Sequence, residues 1–405
     1  MTAITDTDAA FLDLLDPEFR TDSPQVQAAR ETNWYARAPL GIAVLRHAEC
    51  AALLRDRRLR RGSSSTLAGW GVSSGPFADW MREILLNLEG EAHARQRALV
   101  GGAFGRRNVD ALVPVMRETA HALVDRFAAR GRCEFMAEFA DPYPARVIAT
   151  VLGVPPGDFD RFLGLATDLG LGFGPAVAQH LPRVEAALEG LYGYCDDLIA
   201  RRRREPADDL VSTLVTAEAD GDRLTTAELR TLLTATVLAA QDTTRNQLGL
   251  GLFAFAAHPA QWALLAERPE LATPAVEEIV RLYPTTPVLS RWAAEDLTFQ
   301  GLDIPAGTQI MILVSAANTD PAAFGPDAAV FDITARRPPA LTFGAGPHFC
   351  LGAWLARTEL REALTLLAGR LHDVAVDGPV ASRPPVGITG PVAFPLRFTP
   401  DRCRR

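Results

Sequence analysis

Between residues 343 and 352 the chain reads Phe343-Gly344-Ala345-Gly346-Pro347-His348-Phe349-Cys350-Leu351-Gly352. No other stretch restricts the possible folds so tightly. The glycines let the backbone curl until several N–H groups point at one sulfur. A helix-forming run, Ala353 to Leu367, follows at once, and its N-terminus adds positive potential. Both effects favour thiolate over thiol. The chain must therefore build a turn that presents one ionisable cysteine, or else bury a structural cysteine in a Gly/Pro loop. A thiolate placed in this way is a good axial ligand for haem iron.

The bulk properties allow a large globular core. The chain has 405 residues, 48% hydrophobic and 22% charged. No apolar run approaches the roughly 20 residues that a bilayer span requires. The N-terminal stretch carries Asp6, Asp8, Asp13 and Asp16, which fits neither a signal peptide nor an anchor. A soluble cytoplasmic protein is the expectation, with residues 1–20 as a loose extension of one domain spanning 1–405. The cysteines (Cys50, Cys133, Cys195, Cys350, Cys403) are odd in number and unpaired in spacing, which argues against a disulfide framework or a zinc site. The net charge of −8 argues against nucleic-acid binding. Ser63-Ser64-Ser65 and the run Arg201 to Arg204 are short biased stretches, the second read as a solvated helix end.

Helical periodicity dominates. It predicts helices over 118–130, 181–203, 226–257, 259–267, 275–283 and 353–371. Short strands are predicted at 41–45, 297–299, 309–314 and 392–398. The fold class is mainly α with small β-sheets.

Thr225-Thr226-Ala227-Glu228 reads as a capping box, and Pro259 stops the helix that follows. At ~1.5 Å per residue that helix is about 50 Å long. Its middle holds Ala239-Ala240-Gln241-Asp242-Thr243-Thr244. An acid and two hydroxyls inside an apolar helix are costly unless used. In the bland reading the threonines bond back to carbonyls one turn earlier and Asp242 pairs with an arginine.

Phe343-x-x-Gly-x-x-x-Cys350-x-Gly352 resembles the haem-ligand loop of the cytochrome P450 family, and the likeness covers about residues 30 to 400. The resemblance implies a P450-like prism fold with haem b between the long central helix and the loop of Cys350, the iron ligand. Phe343, Gly344 and Gly352 shape that loop. It implies that Asp242 and Thr243 relay protons to dioxygen at the haem, with Ala240 standing where the family usually has Gly. His93 and Arg97, at i, i+4, match a pair that binds a haem propionate, as do Arg291 and His348. Glu278 and Arg281 match a buried Glu-x-x-Arg lock. Thr319 and Ala335 fall where the family often has Arg, leaving the third partner of that lock open. By family analogy Trp80, Leu171, Val237, Ala240, Val288, Leu289 and Thr389 line the substrate pocket, and the run from Leu169 to Pro175 forms a mobile lid.

The implied activity is monooxygenation. One oxygen atom of O2 enters a small or medium apolar or aromatic substrate, as in hydroxylation during specialised-metabolite biosynthesis. Oxidative coupling or desaturation on the same fold, or a non-catalytic haem sensor, are the alternatives. No flavin or iron–sulfur module is encoded, so electrons from NAD(P)H arrive through a ferredoxin and its reductase. Arg95, Arg106, Arg107 and Arg357 are the expected docking patch on a monomeric, membrane-free protein.

Overall fold

The computed structural model describes residues 9–401 apart from Pro17, 63–66, Pro175, 220–221 and 384–386. Cys403, Ser63-Ser64-Ser65 and the last residue of the expected lid lie outside that set. By contacts the chain groups into two units interleaved along the sequence. The first comprises Met1–Gly62, Thr273–Cys350 and Ser382–Gly390; the second comprises Ser63–Ala272, Leu351–Ala381 and Pro391–Arg405.

A five-stranded sheet organises the first unit, in the order Tyr35–Ala38, Gly41–Val44, Gln309–Leu313, Val288–Ala293, Leu59–Arg60. Gly41–Val44 and Gln309–Leu313 run parallel and the other pairs antiparallel. Both faces are covered. Ile42, Val44, Ile310 and Ile312 enter one apolar cluster, while Ala43, Met311 and Leu313 enter another. Alternate residues of a strand point to opposite faces, which explains the near-continuous apolar runs. Leu12, Leu14 and Phe19 are buried in the second cluster, and Phe11 bridges to Arg37. Leu12, Leu14 and Phe19 thus belong to the core and cover one face of the sheet, while Phe11 and Leu15 are exposed.

The second unit is helical. Thr226–Ala257 is one uninterrupted helix of 32 residues. Its capping box is complete: Glu228 N–H donates to Thr225 Oγ1 at 3.2 Å, and Thr225 N–H donates to Glu228 Oε2 at 2.8 Å. Pro259 then opens the helix Pro259–Glu267, as predicted. Among the described residues no single helix is long and apolar enough to cross a membrane.

Several boundaries differ from the sequence reading, and three of them show why. The helix expected over 118–130 is Val113–Val124, followed by a separate turn, Ala128–Arg130. Pro114 opens it, because the first turn needs no N–H from a proline. The helix expected from Leu181 starts at Val177 and carries Pro182 within it. The strand expected over 392–398 divides into Pro391–Ala393 and Pro395–Thr399. Phe394 interrupts it by turning its N–H to Glu134 Oε1 and burying its ring edge-on to Phe135. Phe135, Phe139 and Tyr143 continue as a stacked ladder, with centroids 5.5 and 5.3 Å apart, along the single π-turn Met136–Ala140 and into the helix Pro142–Val151.

Candidate active site

In the first unit, the cysteine loop is closed by two backbone bonds. Cys350 N–H donates to Phe343 O and Gly344 N–H donates to Leu341 O, each at 2.8 Å. Gly344 and Gly346 have φ of +73° and +70°, the left-handed region that side chains disfavour. A Cβ on Gly346 would also stand 2.9 Å from Leu54 O and 3.0 Å from Arg55 Cα. The loop therefore lies directly against the end of the helix His47–Leu53. Gly352 has φ −86° and open space around it, so the backbone alone does not demand glycine there.

Cys350 is exposed, whereas Cys50, Cys133 and Cys195 are buried. Burial pushes the Cys133 and Cys195 thiols up to about 12, and Cys50 well above its ordinary range. Those three are inert. Among the described cysteines, Cys350 alone is open to a ligand.

The segment leading to this loop is tied down by the pair read as a lock. Arg281 and Glu278 are 1% and 3% exposed. The guanidinium meets the carboxylate twice, at 2.8 and 2.7 Å. The third partner is backbone: Arg281 Nη1 donates to Asn318 O at 2.8 Å and to Ala328 O. Asn318, fully buried, then accepts from Leu341 N–H at 2.8 Å and donates to Thr342 Oγ1 at 2.9 Å. Two residues on, the cysteine loop begins. Thr319, standing where the family often has Arg, receives Nη1 of Arg30 at 3.0 Å, so the cation comes from the helix Pro24–Thr32. Arg337 pairs with Asp327 instead of joining the lock.

Arg291 is buried on the strand Val288–Ala293, opposite Ile310. Val288 and Leu289 on that strand are half-buried, as is His348. Thr389 reaches the same region through a clasp: its N–H donates to Thr285 O, and Thr285 Oγ1 donates to Thr389 O, both at 2.8 Å. The first unit thus gathers the loop, Arg291, His348, Val288, Leu289 and Thr389.

In the second unit, the middle of the long helix has one accessible face. Ala239 is exposed, and Ala235, Ala240 and Thr243 are half-buried, while their neighbours are buried. Successive residues turn by ~100°, which places these four on one side. Val237 is fully buried on the other side and belongs to the core, a correction to its reading as a pocket residue. Ala239 is the exposed residue of that face, as helical periodicity from Ala235 and Thr243 places it.

Thr243 Oγ1 donates to Ala239 O at 2.7 Å. Asp242, 6% exposed, has Arg245 Nη1 at 3.5 Å and receives Asn246 Nδ2 at 3.3 Å. The local bonding is that of the bland reading, a threonine bonded back one turn and an acid beside an arginine. It leaves the Thr243 oxygen able to accept a further bond.

His93 is buried and Arg97 half-buried on the helix Gly90–Gly101. Arg95 on that helix reaches Asp222 and Glu228. That network pairs its charge, while the side chain stays about a third exposed (35%). Arg106 and Arg107 are exposed, although Arg106 also lies 5.0 Å above the Trp354 ring. Trp80 is buried beside Phe77, and Phe173 meets both rings edge-on at 6.3 and 6.5 Å. Leu171 lies half-buried in the turn that Phe173 clamps.

Sequence reasoning missed Glu359, on the helix Ala353–Arg370. It is completely buried, touches the Thr244 side chain, and holds Oε2 without a hydrogen-bond partner. Burial pushes its carboxyl well above the usual range, so it stays protonated. A glutamate in a charged helical stretch reads as surface, and no sequence signal marked it.

The donor set suits a haem. An exposed thiol on a glycine-shaped turn has the chemistry of an iron ligand, and Arg291 and His93, both buried, carry groups that suit carboxylates.

Comparison with known proteins identifies the family. Residues 175–370 match the sequence profile described as Cytochrome P450. The chain is 42% identical to luteothin monooxygenase of Streptomyces thioluteus over 96% of both proteins. It is 38% identical to mycinamicin IV hydroxylase/epoxidase of Micromonospora griseorubida over 83% of both. The crystal structure of CalO2 superposes with a TM-score of 0.85 at 29% identity, covering 95% of this chain and 99% of that one.

Proposed function

Because the chain belongs to the cytochrome P450 family, we propose that it is the oxygenase for a medium-sized, largely apolar specialised metabolite, which it hydroxylates. The protein is a haem-thiolate monooxygenase that uses haem, O2 and electrons from NAD(P)H passed through redox partners. The observation carrying the substrate class is the end-to-end similarity to luteothin monooxygenase. The bound haem, with O2 and two electrons, supplies the oxidising chemistry.

The chain's residues do the rest. Cys350 would hold the iron. Arg291, His348, His93 and Arg97 are the cations that would pair with propionates. Asp242 would take protons up, and the Thr243 oxygen, its own proton committed to Ala239 O, would accept a hydrogen bond. The alanines of the accessible helix face present small apolar surface to the substrate.

The experiment is a screen for substrate-induced shifts in the haem absorption band, followed by mass analysis of products. A product heavier by one oxygen, lost in Cys350→Ala, is the expected result. A reduced, carbon-monoxide-treated sample without the absorption of a sulfur-ligated haem would sink the reading.

The electron donor in this proposal is an acidic ferredoxin, and the protein acts as a cytoplasmic monomer. Arg106 and Arg107 are exposed for docking. A second basic strip supports it: residues 55–61 read Arg-Asp-Arg-Arg-Leu-Arg-Arg, with Arg55, Arg57 and Arg60 exposed. Arg55 lies against Gly346 of the cysteine loop, which gives electrons a short path. Charge reversal at Arg57 and Arg60 should slow haem reduction by ferredoxin and flatten its salt dependence, while reduction by dithionite is unchanged.

A further inference from the structure

The helix Pro76–Glu83 has no cap of its own. Gly75 stands at its N-cap with φ +102°, and no side chain there accepts a bond. Pro76 lacks an N–H, so Phe77 is the first residue of the helix whose N–H needs a partner. That partner comes from another helix. Phe77 N–H donates to Glu185 Oε1 at 3.3 Å, across 108 residues of sequence. Glu185 lies on the helix Val177–Arg204. Its carboxylate comes in so low that a Cβ on Gly75 would stand 2.9 Å from Oε1. It also meets the positive end of the capped helix. Arg183, two residues earlier, ties the same helix to Asp168 of the helix Phe159–Gly170 at 2.5 Å.

The capped helix carries the surface on which the turn at 171–174 rests. Phe77 and Trp80 are 0% and 1% exposed, with ring centroids 5.7 Å apart. Phe173 meets both rings edge-on. A Cβ on Gly172 would stand 2.5 Å from Phe77 Cζ, so the backbone of the turn lies directly on that ring. From this geometry we propose that Glu185 is a positioning residue for closure: by capping Pro76–Glu83 from outside, it holds Phe77 and Trp80 as the seat against which the turn comes down. The inference rests on residues 169–174 as a lid and names what that lid closes on. One feature of the seat keeps closure reversible. Trp80 Nε1 is buried and finds no hydrogen-bond partner among the described residues. A stranded donor costs free energy while the turn stays down, and water can take it once the turn lifts. Glu185 and the aromatic contacts hold the turn, and the indole N–H keeps that hold from becoming permanent.

The test uses the holoenzyme and two probes, each read by the shift of the haem absorption band. Imidazole is small enough to pass a lowered turn, whereas the bulky azole clotrimazole must wait for it to lift. Loss of a helix cap corresponds to about a fivefold change in an equilibrium constant. Glu185→Ala should therefore speed clotrimazole release about fivefold and leave imidazole release unchanged. Amide exchange over 77–80, measured without azole, should rise by a similar factor while the helix Thr226–Ala257 keeps its protection, which a general loss of stability would not allow. Glu185→Gln keeps an acceptor oxygen and should stay within about twofold of the parent. Gly172→Ala pushes the turn off Phe77 and should speed clotrimazole release likewise. Adding Glu185→Ala to it should bring less than about a further twofold, because the seat is already lost. Unchanged exchange at 77–80, a Gln variant as fast as the Ala variant, or fully multiplied effects in the double variant overturns the proposal. Should Glu185→Ala fail to fold, Glu185→Asp, one methylene shorter, must speed both exchange and release, and unchanged rates overturn it. The lid reading fails separately, if residues 169–174 of the parent exchange slowly and clotrimazole leaves that rate unaltered.

Discussion

Replacing Arg281 with Met tests the energetics of the lock behind the cysteine loop. The guanidinium holds Glu278 through two bonds of 2.8 and 2.7 Å and caps the carbonyls of Asn318 and Ala328. Without it, the Glu278 carboxylate keeps the Asp332 N–H at 3.2 Å, and at 3% exposure water cannot take over. Stranding one member of a buried ion pair costs about 3–5 kcal/mol. Two uncapped carbonyls add roughly 1 kcal/mol each where water reaches them poorly. The expected loss is therefore about 5–7 kcal/mol, limited at the top by Glu278 taking a proton. Glu278→Leu/Arg281→Met removes the stranded charge and leaves only the carbonyls, so it should cost about 1–3 kcal/mol. Guanidinium unfolding of the holoenzyme at neutral pH measures both. Because Asn318 fastens Leu341 and Thr342, the single variant should also show a growing share of reduced, carbon-monoxide-bound protein without sulfur ligation. A single-variant loss under about 1 kcal/mol, or a double variant as costly as the two singles summed, would refute the reasoning.

Glu359→Gln should stabilise the protein at pH 8 and not at pH 4. The buried carboxyl is raised, so its stability contribution is fully present below the ordinary value of 4.5 and is lost as pH climbs toward the folded value. Denaturant titrations at the two pH values check this, and a pH-independent gain would count against it. Gly346→Ala should destabilise the loop by about 1–2 kcal/mol from the left-handed backbone alone, with more from its approach to Leu54 O. Thr243→Ala should leave stability equal or raise it by about 0.5 kcal/mol, while product per NADPH falls and peroxide rises. If stability and coupling fell together, the threonine would be a packing residue.

Much of this was written in local sequence. The capping box, the proline at 259 and the glycines around Cys350 each act through bonds within a few residues, and each was legible. What escaped depends on groups far apart in the chain. The lock's third partner is a set of carbonyls at 318 and 328, which no side-chain pattern announces. Arg30 supplies a cation to Thr319 from 289 residues away. Val237 was assigned to the pocket by family analogy, whereas it lies fully buried on the opposite side of the helix from Ala239. Arg95 is a partly exposed charge, and its partners Asp222 and Glu228 lie 127 and 133 residues away.

Glu228 joins several of these parts. One oxygen caps the first turn of the long helix, and the other takes Arg95 at 2.6 Å and Gln96 at 3.4 Å. Arg95 and Gln96 stand between His93 and Arg97. The start of the long helix and the two donors on its neighbour are consequently registered to the same carboxylate. Substitutions along Ala235, Ala239 and Ala240 can reshape the accessible surface while this alignment survives, but a change at 228 would uncap the long helix and release Arg95 and Gln96 at once. Drift in what the protein oxidises should accumulate at mid-helix, and position 228 should stay still.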